Sequence, residues 1–375
     1  MSSTFLRRAL ASAAITATAT TTLVSAPAQA ASTTAPAAPT APTAVSKTRA
    51  SGFEPGRVLK GTALAMHSPT KGQLWIAERT NDGKILLEHK SGRYWGSYRL
   101  NIPVGAGDTV DLHGAGNDMW LTAAGQLWHF KGRSWSKVAT PGKAAATTVF
   151  DVAGQTVYVG LSGEAKNTGI YTLRNGRWSS LGRPSDNGMP APFFSPKDVQ
   201  VVGGKVFANW EASPRSATVW WNAFVYQNGS WGSPFASHSF GSGSYNHLGA
   251  WLVPNTTTQY TFGSASSVSE GLPWFARCRA WTQKAGDITC TTRFAAGAGA
   301  VLPDGRMVLG GSDYKYYTSP KVEGQFGIRT ADGTERTIPG NPGDATLAMT
   351  VEPGGSTVWA ATVSGKTTRL QSWNR

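Results

Sequence analysis

The stretch from Gly169 to Gly182, GIYTLRNGRWSSLG, constrains the fold more than any other part of the chain. Ile170 to Leu173 is a short β-prone run. Asn175-Gly176 is a two-residue turn of the kind that needs positive φ at both positions, and Arg177 to Leu181 returns as a second strand with Trp178 just past the turn. The same hairpin recurs in outline at Ser91-Gly92-Arg93-Tyr94-Trp95, Lys131-Gly132-Arg133-Ser134-Trp135 and Asn228-Gly229-Ser230-Trp231. Weaker echoes stand at Ala285-Gly286-Asp287 and Asp332-Gly333-Thr334. Self-similarity at a fixed period marks an array of one supersecondary unit, so this hairpin, repeated, sets the plan of the molecule.

Each hairpin is preceded by two further runs. One carries a large residue near its middle: Leu74-Trp75-Ile76, Met119-Trp120-Leu121, Val157-Tyr158-Val159, Val206-Phe207-Ala208, Gln259-Tyr260-Thr261, Met307-Val308-Leu309 and Val358-Trp359-Ala360. Before each of these lies a short apolar run, such as Ala63–Met66, Val149–Val152 or Leu347–Val351. The repeat is therefore four antiparallel strands with a period of about 40 to 50 residues, the unit of a β-propeller blade. Leu127 to Phe130 lacks a clean inside/outside alternation, as expected where neighbouring blades cover both faces. We expect an all-β, seven-bladed β-propeller of four-stranded antiparallel blades. The seventh repeat ends without its outer strand, and Arg57-Val58-Leu59-Lys60 has no partner in its own repeat, so the N-terminal strand is expected to complete the last blade and remove an exposed edge.

The ends of the chain predict export. Arg7-Arg8, the weakly apolar Ala9–Val24 and the Ala28-Gln29-Ala30 site read as a signal peptide over 1–30, and the Arg pair admits the twin-arginine route beside the general secretory one. Residues 31–52 are Ala, Thr, Ser and Pro with little else and read as a disordered linker, leaving 53–375 as the propeller domain. The expected location is extracellular or cell-wall associated. The precursor's formal charge of +14 becomes +12 once Arg7 and Arg8 are removed. Such a balance favours anionic partners, with an extracellular glycan or anionic cell-wall polymer foremost. Basic residues are scattered and no nucleic-acid-binding signature is present, so no nucleic acid partner is expected. Beyond the signal no apolar run is long enough to span a membrane, and a monomer is expected. Cys278 and Cys290 flank a turn whose midpoint is Lys284; if the flanking strands are antiparallel the two thiols face each other, and a hairpin disulfide follows.

Candidate chemistry is sparse. The regular positions of Trp95, Trp135, Trp178 and Trp231 favour wedges between blades over sugar platforms. The aromatics that break the repeat, Trp210, Trp220, Trp221, Trp274, Tyr314, Tyr316 and Tyr317, sit in or beside expected inserts and are the ligand-binding candidates. His247, near His238 in a Gly/Ser-rich loop, joins them. Asp111, Asp151 and Asp198 recur in the first strands, which line the central channel of a propeller, where they could form an acidic ring or hydrogen-bond backbone turns. No metal or cofactor motif is present, and none is expected. No serine-hydrolase elbow occurs in a strand–helix setting, and no carboxylate pair can be picked out from Glu78, Asp82, Asp118, Glu211 and the rest. Catalytic residues are therefore not assigned. A binding or scaffold role is the first expectation. A glycoside hydrolase or polysaccharide lyase using channel-mouth carboxylates is the alternative.

The runs Val157–Trp178 and Val358–Trp373, with an aromatic β-run followed by Tyr-Thr-Leu-Arg-Asn-Gly-Arg-Trp or Arg-Leu-Gln-Ser-Trp-Asn, resemble repeats of kelch-like, galactose-oxidase-like secreted bacterial propellers. The kelch double glycine has one counterpart, Gly310-Gly311. The resemblance is at blade level and implies the fold with no particular activity.

Overall fold

The computed structural model describes residues 52–375 apart from 106–107, 143–145, 164–166, 186–193, 213–218, 235, 241–244, 253–258, 268–271, 282–286, 292–295, 312–325 and 331–333. The expected signal and nearly all of the linker, with Tyr314, Tyr316 and Tyr317, lie outside the described residues.

Among the described residues the chain is all strand, gathered into seven antiparallel sheets. Strand β1 is Glu54–Val58. Sheet 1 holds β2 (Thr62–His67), β3 (Gln73–Arg79), β4 (Lys84–Ser91) and β5 (Tyr94–Pro103). Sheet 2 holds β6 (Asp111–Ala115), β7 (Asp118–Ala123), β8 (Gln126–Lys131) and β9 (Trp135–Val138). Sheet 3 follows with β10 (Ala146–Ala153), β11 (Thr156–Ser162), β12 (Gly169–Arg174) and β13 (Arg177–Gly182). Sheet 4 has β14 (Phe194–Val202), β15 (Lys205–Ala212), β16 (Val219–Gln227) and β17 (Ser230–Trp231), and β18 (Ala236–Phe240) is a second partner of β16. Sheet 5 is β19 (Tyr245–Leu252), β20 (Gln259–Ser267), β21 (Leu272–Trp281) and β22 (Asp287–Thr291). Sheet 6 is β23 (Ala296–Val301), β24 (Met307–Gly311), β25 (Phe326–Arg329) and β26 (Glu335–Ile338). Sheet 7 is β27 (Ala345–Val351), β28 (Thr357–Ser364) and β29 (Thr367–Asn374), with β1 as its fourth strand.

The recurrent hairpin forms as its residues require. Asn175 and Gly176 take φ of 51° and 73°, and Asn228 and Gly229 repeat the pair at 53° and 83°. The first strands of successive sheets lie against one another in order, and β27 lies against β2. Strand β1 is held by its ladder to β29, by Phe53 N donating to Pro339 O, and by the Phe53 ring stacked 3.9 Å from Phe326. Gly310, half of the double glycine, answers a packing need: a Cβ there would lie 2.5 Å from Thr346 Oγ1 of sheet 7, whose hydroxyl donates to Gly311 O.

Both faces of the sheets are covered, as the unalternating runs require. Trp75, Leu87 and Phe130 join sheets 1 and 2 in one core, and Phe150, Val159 and Leu127 join sheets 2 and 3 in another. The hairpin tryptophans are wedges between sheets. Trp135 meets Trp75 edge-on, Trp178 Nε1 donates to Ala139 O of the preceding sheet, and Trp231 Nε1 donates to Leu181 O. Trp95 lies under the Arg57 guanidinium, 4.3 Å from the ring centroid.

Candidate functional site

The ends of the first strands carry the most concentrated polar chemistry among the described residues. His67, at the end of β2, donates from Nε2 to Gly114 O of β6 at 3.0 Å. His113 lies with Nε2 3.3 Å from Asp111 Oδ2 and Nδ1 3.4 Å from Asp151 Oδ1. Asp151 in turn accepts from Val152 N and from Val201 N of β14, both at 2.7 Å. The contacts step from sheet 1 to sheet 4 and join residues near the same end of each first strand, so these strands run in one direction.

Charge follows from the geometry. Burial by itself would lower the His113 imidazole, but Asp111, by charge and hydrogen bond, and the charges of Asp151 and Asp198 outweigh it and lift it to about 9. His113 is thus an imidazolium at neutral pH. Burial and that neighbouring positive charge press His67 down to about 4, against the Gly114 carbonyl and Asp111, so it is neutral. The acidic ring expected from Asp111, Asp151 and Asp198 is therefore partly neutralised from within. Asp111 Oδ1 accepts Leu112 N, and Asp151 ties two sheets together; these two acids serve the backbone at the strand ends.

Counting across the ladders reveals an arrangement that single residues did not. His67 is the register partner of Trp75, and Trp75 of His89; His113 is the partner of Trp120, and Trp120 of His129. His89 stacks on Trp75 at 4.1 Å and His129 on Trp120 at 3.8 Å. Four of the six histidines thus form two equivalent His–Trp–His ladders. Lys71, near the midpoint between His67 and Trp75, and the Gly116-Asn117 turn between His113 and Trp120 mark this register in the chain.

A second buried group lies where β1 meets sheet 1. Glu78 and Glu88 are 0% and 1% exposed. Arg57 of β1 reaches Glu88 at 2.8 Å, and Glu78 accepts Gly61 N at 2.7 Å. Burial, then the charge of Glu88, raise Glu78 to about 7 against the Gly61 and Lys60 amides and Arg57. Glu78 has no access to solvent and so cannot meet a polysaccharide.

The other candidates fall into three groups. Trp210 is a correction: it is 0% exposed on β15, packed among Ile170, Val199 and Phe224, so its indole is core and cannot be a ligand platform. Trp220 and Trp221 lie near the start of β16 and Trp274 near the start of β21, beside the connections that precede those strands, and His247 lies in β19. Strand β16 is paired on both sides here: Trp220 faces Ala212 of β15 and Ser239 of β18, and Trp221 faces Glu211 and His238. Cys278 and Cys290 are direct register partners on β21 and β22, with the ladder running through Arg277↔Thr291 to Trp281↔Asp287. Among the described residues no three metal-ligating side chains gather, and no helix is long and apolar enough to cross a membrane.

No family model and no curated protein matches the chain. Solved structures do. The chain is similar to YCF48 from Cyanidioschyzon merolae, with TM-score 0.55 and 12% identity over 86% of this chain and 99% of that one. It is similar also to the Neurospora crassa Pan2 WD40 domain, with TM-score 0.59 and 9% identity over 87% and 96%. A structure of YCF48 bound to D1 peptide matches with TM-score 0.52 and 13% identity over 86% and 97%. At these identities the likeness is one of fold, and with the four-stranded sheets it makes this chain a propeller-type repeat protein, while a kelch-like or galactose-oxidase-like kinship has no support from these neighbours.

Proposed function

We propose that the chain is an exported binding or scaffold protein whose propeller face takes a glycan or an anionic cell-envelope polymer. In this reading the seven sheets are seven blades and β1 closes the ring through sheet 7. Residues 1–30 direct export, 31–52 act as a spacer, and Cys278 and Cys290 form a disulfide once outside the cell. The directly opposed register of the two cysteines supports that bond, which a loss of 2 Da in the intact mass tests.

One observation carries the choice of binding over catalysis. A carbohydrate-active enzyme at this site would need two available carboxylates, and Asp111 and Asp151 are instead engaged by His113 and by backbone amides. The match to peptide-bound YCF48 supports a binding role for the fold without indicating the ligand here.

Incubation of the purified protein with a panel of wall polymers and polysaccharides is the test. Retention without release of reducing ends or unsaturated products is expected. Turnover of any member would replace this reading with the enzymatic one.

A further inference from the structure

We infer that the polymer-binding surface is the end of the propeller formed by the third-to-fourth-strand turns of sheets 1 to 3, and that it takes a flexible linear polyanion. The inference rests on the reading above and names the surface and the ligand's charge chemistry.

Each of these three turns is bracketed by two bases: Lys90 and Arg93, Lys131 and Arg133, Arg174 and Arg177. The second base follows directly on a positive-φ glycine, Gly92 (57°), Gly132 (76°) or Gly176 (73°), which puts it at the tip. Arg93, Lys131, Arg133, Arg174 and Arg177 are exposed, and none enters an ion pair among the described residues. Lys90 is half-buried over the Trp359 ring, with Nζ donating to Gly92 O. The three turns share one end. Gly92 N donates to Gly72 O and Gly132 N to Asn117 O, which joins them to the first-to-second-strand turns, and the contacts from His67 to Asp151 align the first strands.

Two features make this more than a solvated surface. Arg174 and Arg177 are direct register partners, and like charges opposite each other across a ladder destabilise a hairpin unless an anion lies between them. The carboxylates near this end are engaged: Asp118, first residue of β7, is hydrogen-bonded to His129, Asp151 accepts two backbone amides, and Glu352, just past β27 of sheet 7, accepts Gly72 N. At the other end of sheet 1 the bases are matched by an acid: Asp82 pairs with Arg99 at 2.7 Å and with Lys84 at 4.0 Å. The tips are also held in place from behind, since Trp178 is bonded to the preceding sheet and Trp135 packs on Trp75. A fixed row of guanidinium forks, repeated once per sheet, suits phosphate or carboxylate groups repeated along a chain.

The test uses the exported protein and poly(glycerol phosphate) teichoic acid, with polygalacturonate as a carboxylate polymer and inorganic phosphate as a monovalent probe. Binding of either polymer, with negligible affinity for inorganic phosphate, is expected. The variant Arg93→Gln/Arg133→Gln/Arg177→Gln should bind at least about 10-fold more weakly at low salt, and the slope of log K against log salt should fall by about 2. A control, Arg79→Gln/Lys137→Gln/Lys366→Gln, removes three bases from the opposite end and should bind as the parent does. Equal losses in both variants, or a loss confined to the control, would overturn the surface. Retention of neutral glycans alone would overturn the polyanion while leaving the binding reading standing, and absence of all polymer binding would end both.

Discussion

Single residues decide how this protein responds to pH. Glu78 is raised from 4.5 to about 7, so the native state holds its proton more tightly than the unfolded chain. The associated stabilisation is complete below pH 4.5 and is lost as pH rises to 7, at most about 3 kcal/mol. Glu78→Gln keeps an acceptor for Gly61 N and should flatten that fall, as read by urea unfolding at pH 4.5, 6 and 7.5. A variant that tracks the parent would show that Glu78 is not the titrating group. His113 acts at higher pH: its pKa is raised from 6.5 to about 9, so it stabilises fully below 6.5 and the contribution disappears as pH climbs through 9. His113→Gln leaves Asp111 and Asp151 facing each other without a cation and should cost about 2–3 kcal/mol at pH 6.5, shrinking by pH 9.5. His67 works in the opposite sense: its pKa is lowered from 6.5 to about 4, so its contribution is present above 6.5 and is lost as pH falls to 4.

At the scale of elements, two devices join one sheet to the next: the hairpin tryptophan and the strand β1. Trp178→Ala removes a half-buried indole that bonds Ala139 O and packs in the core shared with sheet 2, and should cost about 2–4 kcal/mol in chemical denaturation. Trp178→Phe, which keeps the packing and loses the Nε1 bond, should cost about 1 kcal/mol. Strand β1 and its two flanking residues contribute the ladder to β29, Phe53 in the sheet 6–7 core, Leu59 against Leu370 and Ala361, and the Arg57–Glu88 ion pair. A chain beginning at Gly61 should expose the β29 edge, leave Glu88 without Arg57, and associate in sedimentation. Continued monomeric behaviour with unchanged stability would show that β1 is dispensable. The strand plan was legible because hairpins are local: Asn175-Gly176 and Asn228-Gly229 fold as their turn chemistry requires. The second partner of Trp220 and Trp221 was not legible: both are laddered to β15 as the repeat requires, and the added pairing of β18 with β16 is signalled by no neighbouring residue.

At the scale of the whole molecule, a ring closed by the two ends of the chain would have no terminal repeat from which to fray, unlike an open array. The full chain is therefore expected to lose tryptophan fluorescence and far-ultraviolet signal in one coincident transition, and the Gly61 truncation to separate them. Turn type, repeat length and the four strands of the basic unit could be read along the chain, because each depends on residues a few positions apart, whereas β18 could not. The opposition of Cys278 and Cys290 was readable by counting outward from a turn, and the same count applied to His67 and His113 would have placed them on Trp75 and Trp120. What linear pattern could not supply was any relation between sheets. That Trp210 is core, that Asp151 reaches Val201, and that Arg57 ends on Glu88 depend on which side of one sheet meets which side of the next. Those contacts span dozens of residues and arise from packing, where shape and desolvation choose the partners and local propensity is silent.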